Sequence, residues 1–560
     1  MRAPIDTEGG RPTSGAELNL ARQLIERSGV VALEPYIDTE VGRPRHLSLV
    51  AFLVACQLNA FQRHHQAHLV EVARILNALT EVQLQGLGVA NWDPDESYPR
   101  VERLFLRISE VLESGEAGVD ATWFANQSAR SAIPTEHLVS ASVAVDGTDV
   151  ETWGALHGEA VTVELDGDAT QTQLIDDDPR LRTKRPARRA KILGVGTDGR
   201  KRYTVDPDAR AGHRSATNSR PAGPYIGYEL HLAVQARDVR WTNNIDRTTL
   251  GPEVPGVITT CNLVPTGSHR GRAVVDGLIA AKRDGHQLDD VVWDPGYSLC
   301  KEGTTAHPLA QAGIGQTFQV VTHQRGSRPF SSDALLIDGQ LYSPHVPEAL
   351  RDLTSPPRGA TETEKLTYEA KFNQRARWRL VRHAGPDTDG VTRWRCPFCA
   401  GLLRSRKFPR TMRNSRRAPL VDLGDGVTEC CTGILSVVPA ELGLNQRIPF
   451  GTTAWRISMG RRQVVESVNA ALKGAYVDLA RGFFRVFGQV KMTVLLGFTV
   501  AAYNLDRVRS FRAKHALEGP SASAPARFQQ PRRAKRRTGI WSQVVEQRSQ
   551  APPDRTPKCP

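Results

Sequence analysis

Three stretches decide the fold of this chain: SASVAVDGTDV at Ser140–Val150, GYELHLAVQA at Gly227–Ala236, and DDVVWDPGYS at Asp289–Ser298. Each is short and rich in β-branched or aromatic residues. Each either alternates with a period of two or runs apolar until a turn former stops it, which is strand patterning. GRAVVDGLIAAKRDG, just before the third stretch, has helical patterning. Strands alternating with a helix point to a mixed α/β sheet.

Outward from this centre, the segment before it is helical. VERLFLRISEVLES places Val101, Leu104, Phe105, Ile108, Val111 and Leu112 on one apolar face. HLSLVAFLVACQL and HLVEVARILNAL give two earlier helices, and Thr80 with Gln83 forms a capping-box pattern. Beyond the third strand, residues 301–450 are rich in Gly, Pro and Arg and hold a cysteine cluster. RRQVVESVNAALKGAYVDLARGFFRVF, from Arg461, then reads as a long helix, followed by the apolar helix MTVLLGFTVAAYNL at Met492–Leu505. The expected organisation is therefore four parts. Residues 1–136 form an all-α N-terminal domain for DNA binding or dimerisation, and 137–300 with 451–515 form an α/β core. Residues 301–450 are an inserted module, and 516–560 a basic tail without a packed structure.

With 73 Lys and Arg against 60 Asp and Glu, the 560-residue chain carries a net charge of +13, an excess that favours a polyanionic partner. The start of the chain lacks a secretory pattern, and the Met492–Leu505 run is too short for the ~20 residues that span a bilayer. The expectation is a cytoplasmic, nucleoid-associated protein with reduced thiols and no membrane contact.

Carboxylates supply the chemistry. Asp146 closes the apolar run of the first strand and Asp294 that of the third, so each stands where neighbouring strands converge at a sheet edge. In MGRRQVVESVNAALKG, helical spacing places Met459, Arg462, Glu466 and Lys473 on one face. Three carboxylates can hold two divalent cations, and cations beside them can grip phosphate. An exposed Arg–Glu pair at i,i+4 explains the helix pattern equally simply.

VAVDGT, DPDAR, GYELHLAV, VVWDPGY and the Arg462–Glu466–Lys473 spacing, in this order, resemble bacterial insertion-sequence transposases of the DDE class. That family's third motif reads Tyr-x2-Arg-x3-Glu-x6-Lys; here Met459 occupies the tyrosine position. The resemblance covers roughly residues 140–300 and 450–510. It implies a ribonuclease H-like catalytic core with an insertion between Asp294 and Glu466. It also implies two Mg²⁺ (or Mn²⁺) ions on Asp146, Asp294 and Glu466, and phosphate contacts from Arg462 and Lys473. The implied activity is cleavage of double-stranded DNA at inverted-repeat transposon ends and strand transfer into target DNA, by a homodimer on DNA. A catalytically inactive DNA-binding derivative and a structure-specific nuclease on the same fold are the competing functions. Asp149 competes with Asp146, and the family pattern favours Asp146 because Gly-Thr follows it.

Other residues carry open alternatives. Cys396 and Cys399 form CPFC, a zinc-knuckle spacing, and Cys430 and Cys431 follow. These four, or a set with His383 as a ligand, hold a structural Zn²⁺, or else they are unligated thiols. The basic run RLRTKRPARRAKI at Arg180–Ile192 and the tail's PRRAKRR are DNA contacts or solvated loops. Trp293 is a buried strand residue or a base-stacking one. DPDAR has no chemistry assigned.

Overall fold

The computed structural model describes residues 12–37, 45–62, 66–160, 188–214, 222–241, 248–357, 359–408, 418–427, 430, 433–438, 441 and 443–515. Its N-terminal helices are α1 (Gly15–Ser28), α2 (Leu49–Phe61), α3 (Leu69–Ala78), α4 (Ser97–Ser114) and α5 (Ala121–Ser131). All six apolar-face residues expected in Val101–Ser114 are buried. The Thr80–Gln83 capping box is formed, satisfying two amide donors that the start of a helix leaves unpaired.

The central sheet is built from β1 (Ser142–Glu151), β2 (Arg210–Arg214), β3 (Gly223–Ala236), β4 (Ile258–Pro265), β5 (Asp290–Trp293) and β6 (Gly315–Thr317). Its order is β4-β3-β1-β5-β6, with β2 paired to β3. β1 and β4 run antiparallel to β3, whereas β5 runs parallel to β1 and β6 parallel to β5. Helix α6 (Arg270–Arg283) makes the crossover from β4 to β5. Side-chain alternation sorts the two faces. Ala144, Leu230 and Leu232 join the core made by the N-terminal helices, while Val143, Val145 and Ala233 face α6. The N-terminal helices therefore cover one face of the sheet and share its core.

Strand β6 carries the sheet past residue 300, the expected start of the inserted module, because Val291 and Val292 pair with Gln316 and Thr317. After it come a three-stranded antiparallel sheet of β7 (Ser327–Ser331), β8 (Ala334–Ile337) and β9 (Gln340–Tyr342), then helix α7 (Glu362–Ala376). A second antiparallel sheet follows, of β10 (Val381–Ala384), β11 (Thr392–Arg395) and β12 (Ile434–Val437). These sheets have small cores of their own.

The long helix expected from Arg461 is not continuous. Helix α8 (Thr453–Gly460) ends before it, α9 covers only Gln463–Ala470, and Ala471–Ala475 form a π turn. The chain then leaves the helical path and buries Val477, Leu479, Phe483 and Phe484 in the first core, so tertiary packing overrides helical propensity here. The final helix α10 (Gln489–Lys514) packs on α5, where a Cβ on Gly497 would lie 2.8 Å from Ala125 Cα, so this crossing needs glycine. No helix among the described residues is long and apolar enough to cross a membrane.

DPDAR has a structural role. The buried Asp206 accepts from Tyr228 Oη at 2.7 Å, Thr152 Oγ1 at 2.6 Å and Gly488 N at 3.1 Å, while Asp208 accepts from Gln489 N at 2.8 Å. The two carboxylates fill the unpaired amide donors at the start of α10 and complement its positive end.

Candidate active site

Strand register brings the first two acids together. Val145 on β1 stands opposite Trp293 on β5, and these strands are parallel neighbours, so Asp146 and Asp294 follow side by side. β1 itself continues to Glu151, so only its apolar part ends at Asp146. Asp294 caps the turn Pro295–Ser298, its Oδ1 accepting from Gly296 N at 2.8 Å. The third acid comes from α9, which lays Val465 and Val468 into the first core and leaves Glu466 at the rim. Three residues on, Asn469 Nδ2 donates to Asp146 Oδ2 at 3.1 Å.

Asp146 feels both other acids. Burial pushes its carboxyl up, Arg462 pulls it down, and the negative charges of Asp294 and then Glu466 push it up again. A cluster of this kind favours a cation, and carboxylates are the hard oxygen donors that Mg²⁺ and Mn²⁺ take. The buried Oδ1 of Asn469 has no partner, which adds an oxygen donor beside Asp146. These are donor types that such an ion takes, but Asp146, Asp294 and Glu466 do not bring three ligand atoms within 4.8 Å of one another. Among the described residues, the one group of three His, Cys, Asp or Glu ligand atoms within 4.8 Å of one another is a cysteine group. Glu466, 54% exposed, instead pairs with Arg462 at 3.0 Å.

The two expected phosphate grips both hold carboxylates of the chain itself, Arg462 that of Glu466. Lys473, in the π turn, holds Asp149 Oδ1 at 2.5 Å, and Arg214 approaches the same carboxylate at 3.4 Å. Asp149 is therefore engaged by two cations, which leaves Asp146 as the acid facing Asp294. Met459 lies on α8, on the far side of the break before α9, and packs against the second core. Arg461 and Arg462, both helical in backbone angles, link α8 to α9 through i→i−3 hydrogen bonds. That link is fixed by a buried ion pair of Arg461 with Asp290 at 2.5 Å, which ties it to the strand leading to Asp294.

Sequence reading missed the support beneath the acids. His231 stands opposite Gly147 on β3 and is 1% exposed, with its Nδ1 2.8 Å from Tyr297 Oη. Its Nε2 lies 3.6 Å from Glu229, beyond hydrogen-bond reach, so the Tyr297 hydroxyl is its hydrogen-bond partner. Glu229 in turn meets Arg270 at 3.5 Å. The Tyr297 ring stacks on the buried Trp293 at 5.5 Å and 5°. A Cβ on Gly147 would lie 3.0 Å from His231 Nδ1 and 3.2 Å from Tyr297 Oη, so any side chain after Asp146 would crowd this pair. The detectable signals were the His in GYELHLAV and the Tyr three residues after Asp294.

The cysteine group is Cys396, Cys399 and Cys430, and it can hold a metal ion. β11 leads into the first two and β12 follows the third, with Arg395 opposite Ile434 in the pair. Cys399 N donates to Cys396 Sγ at 3.3 Å, and Cys399 Sγ lies 3.3 Å from Cys430 Sγ. His383 is exposed on β10 and is not part of the group. Cys431, the tail and positions 180–187 of the basic run lie outside the described residues. No family model, curated protein or solved structure matches this chain.

Proposed function

We propose that this protein is a DNA transposase of the DDE class, with Asp146, Asp294 and Glu466 as its catalytic acids. The observation that carries this reading is the β1–β5 register, which sets Asp146 beside Asp294 under a helix bearing Glu466. The strand order, with three antiparallel strands first and two parallel ones after, is the order of a ribonuclease H-like sheet, and the positive net charge suits DNA.

In this reading Asp146, Asp294 and Glu466 would hold Mg²⁺ or Mn²⁺, two ions in the full site, once Glu466 leaves Arg462. The ions supply an activated water or 3′-hydroxyl and neutralise the leaving oxygen. Asn469 orients the Asp146 carboxylate, and Tyr297, held by His231, fixes the turn that presents Asp294. Arg462, paired with Glu466 in this arrangement, would be a phosphate donor if Glu466 took up a metal. The substrates are double-stranded inverted-repeat ends and target DNA, bound by a homodimer in the cytoplasm. The three-thiol group is read as a structural Zn²⁺ site, separate from this chemistry.

The open arrangement of the three acids favours, as a second reading, a DNA-binding derivative that no longer cleaves. Incubating the protein with Mg²⁺ or Mn²⁺ and a duplex carrying the ends that flank its gene separates the two. Cleavage lost in Asp146→Asn supports the transposase, and binding without any cleavage supports the derivative.

A further inference from the structure

A cleft of about 1010 Å³ opens between the edge strand β6 and the second sheet of the inserted module. It lies away from the acids. Asp289, on its wall, directly precedes β5, and Asp294 directly follows it, roughly 16 Å away along an extended chain. Its charge is one-sided. Arg377, Arg379, Arg382 and Arg447 line it, and Asp289 is the one carboxylate among its lining residues. Asp289 is itself met by Lys282 at 3.6 Å. Arg377, Arg382 and Arg447 are exposed, and among the described residues none of the three meets a carboxylate. Trp394 and Leu402 supply apolar wall. Such walls focus the field of unpaired guanidiniums and raise the local concentration of anions. Guanidinium forks match phosphate geometry.

We propose that this cleft binds the DNA phosphate backbone, gripping a duplex flank away from the cut. The proposal rests on the DNA reading above. It makes the inserted module part of the DNA-binding surface, since β10 and β11, beside the thiol group, form the wall that carries Arg382 and Trp394. Phosphate contacts of this kind position a duplex without reading its sequence.

The test is fluorescence anisotropy with a labelled duplex of arbitrary sequence, in EDTA, over a series of salt concentrations. Replacing Arg377, Arg382 and Arg447 together by Gln should weaken binding about tenfold or more at low salt. It should also lower the slope of log affinity against log salt by about 2–3, at ~0.9 per lost phosphate contact. Lys at the same three positions should restore the slope, because charge alone sets it. All three side chains are exposed, so an unchanged melting temperature is expected and separates a binding effect from misfolding. An unchanged slope in the Gln variant, with wild type binding normally, overturns the cleft alone. A wild type that binds no duplex overturns the DNA reading and the cleft with it.

Discussion

Lys473 Nζ lies 2.5 Å from Asp149 Oδ1, three residues along the strand from Asp146. The contact ties the π turn after α9 to β1 and occupies Asp149, the acid neighbouring Asp146. Asp149→Asn should leave cleavage within a few-fold of wild type. It should cost on the order of 1–2 kcal/mol of stability, because Lys473 and Arg214 lose a half-buried partner. Asp146→Asn should do the reverse. Urea melts and a cleavage assay on both variants check this; abolished cleavage in Asp149→Asn alone would move the metal ligand to Asp149.

Tyr297 and His231 support the site from below, and the pair is open to a pH test. Burial, and then Arg270, push the His231 imidazole down to about 3, against an ordinary value of 6.5. Between these values the unfolded chain binds a proton that the folded chain refuses. Stability is therefore full above about 6.5 and falls as pH drops, by up to ~1.4 kcal/mol per unit from this residue. His231→Asn should flatten the acid limb of a stability–pH curve by about one proton. Tyr297→Phe leaves Nδ1 buried without its partner and should cost about 1–3 kcal/mol at pH 7. An acid limb unchanged in His231→Asn would show that the imidazole is solvated.

Much of the fold was legible because its signals are local. The strands of β1, β3 and β5 declare themselves by period and turn residues, and α4 by an apolar face whose six residues are all buried. The acids could be named from spacing, but their surroundings could not. That Lys473 meets Asp149 instead of standing free depends on a π turn, and the break after Gly460 has no marker beyond glycine. The His of GYELHLAV marks a candidate, but its place against Gly147 is set by strand register, a non-local property.

Met459 and Arg462 separate packing from phosphate binding. Met459 is partly buried against the second core, so Met459→Ala should cost on the order of 1–2 kcal/mol, below the ~2–5 of a fully buried site, and leave cleavage nearly unchanged. Arg462→Ala removes a charge-assisted donor worth ~1.5–3 kcal/mol, a tenfold to hundredfold loss in cleavage rate. Kinetics on folded fractions of each variant decide; equal defects would mean that Arg462 acts through packing.

The thiol group predicts a metal content. Protein purified without chelator under reducing conditions should carry about one zinc per chain, and Cys396→Ser or Cys399→Ser should lose it. Since the thiols join the ends of β11 and β12, metal loss should expose the inserted module to limited proteolysis before the central sheet. Elemental analysis showing no zinc would leave these residues as unligated thiols.

The measurement that bears most directly on the catalytic assignment is metal-dependent cleavage of end-containing duplex by wild type, Asp146→Asn, Asp294→Asn and Glu466→Gln, with duplex binding measured in parallel. Three metal-holding acids predict cleavage by wild type in Mg²⁺ or Mn²⁺ and none by any variant, while binding stays close to wild type in all four. Near-wild-type cleavage by any one of the three variants would contradict the assignment.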